Sequence, residues 1–131
     1  MASSLSMVVH VGDGGSFLYD GAPIVAATGA DVTRSLTVVL GRDARALVRE
    51  TSVRGRTAAA DLPGILPGVR TADSTFAVGW DVPELEDVPA DATLRLDEPG
   101  GIVRALAPLG ERVPSSAGLA YTAWRASALA R

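Results

Sequence analysis

The side chains that could perform chemistry are few and scattered along this chain. His10 is the only imidazole, so a Ser-His-Asp triad would need it as the base, and no G-x-S-x-G turn supplies a nucleophile. Four aspartates could form the carboxylate pair of a hydrolase: Asp13, Asp20, Asp31 and Asp43. Turn chemistry alone also explains their positions beside glycine or alanine. A hydrolase using these carboxylates and His10 is therefore the weakest functional hypothesis.

Two residue types that many sites require are absent. All 12 basic residues are arginine, which excludes a Walker loop, a Schiff base and a Ser-Lys pair, and there is no cysteine for thiolate metal sites or disulfides. With a single histidine, only carboxylates remain as further metal ligands. We therefore expect no catalytic residues, no metal-binding residues and no tightly bound cofactor. The net charge of −3 and the scattered basic residues argue against nucleic-acid binding.

A pair of arginines is the clearest candidate for a binding site. Arg54 and Arg56 bracket Gly55 at the end of a predicted strand, where they could clamp a carboxylate or a partner protein. The favoured interpretation is that they are exposed edge charges that discourage aggregation between sheets. Together with Trp124, they are the candidate partner-binding residues.

The elements that would position these side chains begin with a repeat. Residues 6–19 (SMVVHVGDGGSFLY) and 35–48 (SLTVVLGRDARALV) share the order of apolar run, glycine turn and second apolar run, with Gly12 aligned to Gly41. Each copy predicts a β-hairpin, and the unbroken apolar runs predict strands covered on both faces. The copies indicate either stacked coils of a β-superhelix or similar turns within an ordinary β-sandwich.

The remainder of the chain changes in character, although a length of 131 residues favours one domain, 1–131. Proline and glycine punctuate 57–92, which we expect to be weakly ordered, with only 74–80 resembling a strand. We expect 97–131 to be helical, beginning with a short helix at 97–108. The longer helix that follows should pack on the β-body, with Trp124 as its anchor.

The order of these motifs resembles a known family. The elements at 11–19, 23–31 and 44–56, followed by LRLDEPGGIVRALAP and AYTAWRASALA, are similar to the C-terminal half of the urease accessory proteins UreD or UreH. The family's N-terminal glycine-rich "G-G-D" strand has no counterpart here. The resemblance is therefore to a truncated or divergent member.

The resemblance implies a mainly β protein, with stacked hairpins of a superhelical, solenoid-like sheet and one or two C-terminal helices. It further implies a cytoplasmic, non-enzymatic scaffold or chaperone that joins the urease apoprotein, UreF and the GTPase UreG and helps insert nickel, which it would handle only transiently. We expect no membrane partner, and self-association through an N-terminal edge strand at 6–11. The alternatives are a stand-alone β-module that binds a protein or small ligand, and a nonfunctional fragment of a UreD-like protein.

Overall fold

The computed structural model of the chain describes residues 2–21, 24–26, 31–54, 69–89, 92–108 and 114–130. Within those ranges the protein is mainly β, as the sequence predicts, and ends in a helix. The elements are β1 (Ala2–Val11), β2 (Ser16–Asp20), β3 (Ile24–Ala26), β4 (Asp31–Leu40), β5 (Arg45–Arg54), β6 (Val69–Val78), β7 (Thr93–Arg95), β8 (Gly100–Pro108) and α1 (Ser116–Leu129).

The first sheet consists of β1 and β4, which run parallel at the spacing of the sequence repeat. Each residue of β1 pairs with the residue 29 positions later, as Val11 does with Leu40. The hydroxyl oxygens of Ser6 and Ser35 lie 2.9 Å apart at the same offset. The two copies of the repeat are thus neighbours in one hydrogen-bonded ladder.

The second strands of the two copies, β2 and β5, pair at the same 29-residue offset in the second sheet. β2 pairs in parallel with β5, so that Leu18 lies beside Leu47, again 29 residues later. Between the strands, the turns are stacked as well, because the Gly14 N–H donates to the Arg42 carbonyl at 2.7 Å. The repeat therefore describes two strand-turn-strand coils that lie directly on one another.

The prediction that each copy is a β-hairpin is wrong. β1 and β2 belong to different sheets, and so do β4 and β5. At the same place in both turns the backbone is left-handed, with φ of 71° at Gly14 and 54° at Asp43, and the chain crosses from one sheet to the other. Leu36 of β4 and Ala46 of β5 line one mainly apolar pocket of about 290 Å³, so the two strands of a copy face each other across it.

The second sheet carries most of the protein core. Its described strands have the order β2-β5-β6-β8-β7, and β3 also pairs with β5. The pairs β5–β6, β6–β8 and β8–β7 are antiparallel, whereas β2 and β3 run parallel to β5. The parallel strands thereby continue into an antiparallel part, in which β8 lies between β6 and β7.

The prediction of a helix at 97–108 is wrong, because this segment contains β8. Burial alternates along it with a period of two, from Gly101 to Val103 and Ala105, which is the periodicity of a strand. Two adjacent glycines also disfavour a helix. Gly100 has φ of 146°, and a Cβ there would overlap the Ala77 carbonyl oxygen. The 97–131 segment is therefore a strand followed by a helix.

The proline- and glycine-rich segment 57–92 contains more strand than we predicted. β6 spans Val69–Val78 and pairs on both sides, with β5 and β8. The sequence prediction of a strand at 74–80 covers only its second half. Residues 57–68 and 90–91 lie outside the described residues.

Helix α1 packs on the second sheet, as predicted. Its buried side chains include Ala117, Ala120, Trp124 and Ala128. Their spacing of three and four residues places them on one face. Beneath them lie Leu47, Ala77 and Val103, one from each of the three central strands. Trp124 is the largest fully buried side chain, so its predicted role as the anchor of the helix is confirmed.

Candidate partner-binding surfaces

The three residues that the sequence singled out for partner binding do not come together. Arg54 is the last residue of β5, and only its backbone is described. Arg56 lies outside the described residues. Trp124 is 1% exposed, and its indole N–H donates to the Pro83 carbonyl at 3.1 Å. The Trp124 ring therefore belongs to the core and offers almost no surface to a partner.

The acidic and imidazole side chains considered for hydrolysis have separate surroundings. His10 is exposed near the end of β1. The Oδ1 atom of Asp13 accepts a hydrogen bond from the Arg42 backbone N–H at 2.7 Å, and this bond joins the two stacked turns. The side chain of Asp31 is not described. Within the ranges that the structure describes, no three His, Asp or Glu side chains form a group that could hold a metal ion.

The first candidate surface is the N-terminal ribbon, which we define as β1 with β4. In the described part of the chain, these strands pair only with each other. Parallel sheets are normally covered on both faces, and a two-stranded sheet is marginal by itself. Leu5, Val8 and Val39 on this ribbon are nevertheless 54%, 62% and 46% exposed. The ribbon thus presents apolar side chains and strand edges that another chain could cover.

The C-terminal helix is fastened to the sheet by an arginine from β5. Arg45 Nη1 donates to the carbonyl of Ser127 at 2.9 Å and to that of Ala130 at 3.2 Å. Its guanidinium lies 5.7 Å from the centre of the Trp80 ring, whose N–H donates to the Ser127 hydroxyl at 3.0 Å. The last turn of α1 has no basic residue of its own. Arg45 therefore supplies the cation that a helix C-terminus favours.

A second arginine of β5 lies near the beginning of α1. Arg49 donates to both carboxylate oxygens of Asp73, from Nε at 3.2 Å and from Nη2 at 2.9 Å, and the Thr51 hydroxyl donates to the same carboxylate at 3.2 Å. Asp20 is a weaker partner, 3.9 Å away. The hydrogen bonds to Asp73 raise the pKa of Arg49, although burial opposes the rise. A Cβ at Gly118 would lie 3.2 Å from the guanidinium, so α1 passes close over it.

Tyr121 on the next turn of the helix shares this electrostatic environment. Burial raises the pKa of its phenol above the ordinary value of 10.0, and the negative charge of Asp20 adds to the rise. The positive charges of Arg125 and Arg49 act in the opposite direction. Arg49 and Tyr121 thus lie in one cluster of charged and polar groups between the sheet and α1.

The second candidate surface is a depression of about 550 Å³ beside β7, which we call the acidic groove. Its lining comes from the loop after β6 and from β7, β8 and α1. The lining residues are Asp81, Val82, Pro83, Glu84, Leu85, Val88, Thr93, Leu94, Gly100, Gly101 and Trp124. Carboxylates and apolar side chains therefore occur together in one concave surface.

Sequence reasoning missed this groove, because it lies mostly in the segment that we expected to be weakly ordered. A signal was present in the run DVPELEDV at 81–88, where carboxylates and apolar residues are interspersed. The buried Val88 shows that part of this run packs on the core. The acidic groove thus depends on apolar residues that fix the loop.

Comparisons with known proteins identify no relative. No family model matches the chain, and neither does any curated protein or solved structure. Of the described residues, only α1 forms an α-helix, and it is too short to cross a membrane.

Proposed function

We propose that this protein is a non-enzymatic scaffold in urease maturation, acting in a cytoplasmic complex with the urease apoprotein, UreF and UreG that inserts nickel into the urease active site. In this proposal the chain holds partner proteins together and contacts nickel only in transit. GTP hydrolysis belongs to UreG.

The observation that carries the proposal is the stacking of the two coils. The family resemblance implies a superhelical β-sheet, and a superhelix requires repeated segments to lie in parallel on one another. The 29-residue register between β1 and β4, and between β2 and β5, supports this expectation. The ordered motifs at 11–19, 23–31 and 44–56 supply the link to urease maturation. We propose that the two coils are part of a β-superhelix.

The N-terminal ribbon and the outer side of α1 are the surfaces on which such a scaffold would bind partners. The ribbon can accept a strand from another protein at its edge. Leu119 and Leu129 on the helix are 43% and 53% exposed. These surfaces carry apolar side chains that are not buried in the core, so they can contribute to binding.

Co-purification tests the proposal. The tagged chain would be expressed with the urease subunits, UreF and UreG, and we expect these proteins to be retained with it. Nickel-dependent urease activity should rise when the chain is included. The variant Val8→Lys places a charge on the ribbon and should reduce retention, whereas Arg42→Ala in an exposed turn should not. Passage of all three partners through the column would contradict the proposal.

A stand-alone β-module that binds an unrelated protein or a small ligand is the second candidate. The acidic groove favours it, because described residues of this one chain form a concave surface without a urease subunit. Deletion of the gene in its host distinguishes the two. Unchanged urease activity, with a stably folded purified chain, would favour the stand-alone module. A purified chain without cooperative unfolding would favour the nonfunctional fragment.

A further inference from the structure

The first coil, which we define as β1, the following turn and β2, has an open side in the first sheet. The Gly41 N–H donates to the Val11 carbonyl of β1 at 2.7 Å. In a parallel ladder, alternate residues of a strand bond to the same neighbour. The backbone groups of Ser6, Val8 and His10 are therefore directed away from β4. No strand in the described part of the chain pairs with that edge of β1.

The first coil is open on the same side in the second sheet. The Gly21 N–H donates to the Arg49 carbonyl of β5 at 3.0 Å, so the backbone groups of Leu18 are directed away from β5. Among the described strands, β2 pairs with β5 alone. Because β1 lies on β4 and β2 lies on β5, both free edges face away from the second coil. An occupant that fills both must carry two strand edges at the same spacing.

The edge of β1 lacks the features that normally prevent strands from pairing between molecules. Natural edge strands are short, or they carry charged residues or proline. β1 is ten residues long and contains no charged residue, proline or glycine. β7, at the other end of the second sheet, has only three residues, and β4 contains Asp31 and Arg34. Of these three strands, β1 is therefore the best suited to accept another strand.

The arrangement of the strands also indicates which occupant fits. The second coil cannot accept a first coil from another molecule in both sheets, because β6 already pairs with β5 from Ala46 to Val53. A head-to-tail stack of copies would thus leave β2 without a partner. The first coil of a second copy has two free edges at an identical spacing, and a twofold axis brings the four edges together.

We propose that the first coil binds the first coil of a second copy of this chain, through the edges of β1 and β2, to form a twofold dimer. The strands that meet at the axis are antiparallel, and each sheet continues into the second copy. The face of the ribbon and the outer side of α1 remain for other proteins. The dimer therefore goes beyond the proposed scaffold role and does not depend on it.

Sedimentation equilibrium of the full chain over a range of concentrations tests the inference, and we expect a monomer–dimer equilibrium without larger species. Val8→Pro removes an N–H that is directed away from β4, a position at which an edge strand tolerates proline. It should weaken dimerisation at least about tenfold, because symmetry removes a hydrogen bond at two places.

The matched control is Val38→Pro, which removes an N–H directed toward the other edge of β4. It should weaken dimerisation less than about twofold, since that edge lies outside the proposed interface. Urea unfolding would verify that both variants remain folded. Equal weakening by the two proline variants would overturn the assignment to β1.

Spin labels locate the interface without relying on the proline variants. The chain has no cysteine, so Val8→Cys and Leu94→Cys each provide a single labelling site. Both side chains are exposed, and Leu94 lies on β7, at the opposite end of the second sheet from β2. We expect a shorter distance between the two labels of a dimer at position 8 than at position 94. The reverse order, a monomer at every concentration, or assembly beyond the dimer would overturn the inference.

Discussion

Arg45 of β5 donates a hydrogen bond from its guanidinium to the carbonyl of Ser127 in α1, 2.9 Å away, across 82 residues of sequence. Four residues further along the same strand, Arg49 lies beneath the first part of the helix and binds Asp73. Alternate residues of a strand share a face, so both arginines point toward α1. One strand thus bonds the end of the helix through Arg45 and passes beneath its beginning at Arg49.

Arg45→Ala should lower the free energy of unfolding by about 2 kcal/mol, because it removes charge-assisted hydrogen bonds to carbonyls at the helix end. Arg45→Lys should lose less, since it keeps the charge but not the planar fork. Urea unfolding measures both. Arg42→Ala, in an exposed turn, should stay within about 0.5 kcal/mol of the parent protein. Equal losses for Arg45→Ala and Arg42→Ala would contradict this role.

Asp73→Leu should cost about 3 kcal/mol of stability, because it leaves the partly buried Arg49 without its main partner. The double variant Arg49→Met, Asp73→Leu should recover part of that loss. Asp20→Asn should cost less than about 1 kcal/mol, since that pair is longer and more exposed. A double-mutant cycle by urea unfolding measures these changes in the free energy of unfolding. A loss for Asp73→Leu no larger than that for Asp20→Asn would rule out the pair as a stabilising contact.

Gly100→Ala should destabilise the protein by more than about 2 kcal/mol, because the added Cβ would overlap the Ala77 carbonyl in a backbone conformation that only glycine adopts readily. Gly12→Ala is the matched control, since a Cβ there would have nothing within 4 Å. Gly12→Ala should lower the free energy of unfolding by less than about 1 kcal/mol. Thermal unfolding followed by circular dichroism compares the two. Similar melting temperatures for both variants would refute the prediction.

Tyr121 should make the stability of the protein depend on alkaline pH. Its folded-state pKa is raised above 10.0, so the folded protein binds this proton more tightly than the unfolded chain does. The resulting contribution to the free energy of unfolding is fully present below the pKa that Tyr121 has in the unfolded chain. It is lost as the pH rises through the pKa that Tyr121 has in the folded protein. Urea unfolding between about pH 8 and 11 should therefore show a steeper loss for the parent protein than for Tyr121→Phe.

An absorbance titration checks the same group directly. In the variant Tyr19→Phe, Tyr121 is the only remaining tyrosine, and its pKa should exceed 10.0. An ordinary or lowered value would contradict the assignment.

The N-terminal ribbon should make the chain associate with itself as its concentration rises. Val8 and Val39 are exposed beside strand edges that no described strand covers. Val8→Lys should reduce this association because a charge on an edge strand opposes pairing. Leu129→Lys, on the helix, is the control and should have little effect. Light scattering that finds only monomer at high concentration would count against this interpretation.

The sequence offered stacking of the two copies as one of two interpretations, whereas the hairpin pairing that it predicted within each copy is wrong. Identical residue types at Gly12 and Gly41, and at Ser6 and Ser35, indicated the offset that β1 and β4 adopt. A glycine turn between two apolar runs is shared by a hairpin and by a crossing between two facing sheets. Local pattern does not distinguish them, because the difference lies in where the backbone hydrogen bonds go.

The error at 97–108 has a similar origin. Pro99 and the acidic residues before it are typical of a helix start, but Gly100 and Gly101 weaken a helix and permit close approach to β6 and Trp124. Pairing with β6 then makes this segment a strand.

Long-range contacts also explain why the sequence did not indicate the candidate surfaces. Nothing near Arg45 in the sequence indicates its contact with Ser127, and nothing in 81–88 indicates the contact with Trp124.

The parallel register of the coils also bears on how such a chain can change in length. A tandem duplication of one coil would give the new strands the same neighbours, the same turn contacts and the same glycine positions as the old ones. A single inserted residue within β4 would instead reverse the faces of the side chains beyond it in that strand. Growth by whole coils is therefore the mode of elongation that this architecture tolerates.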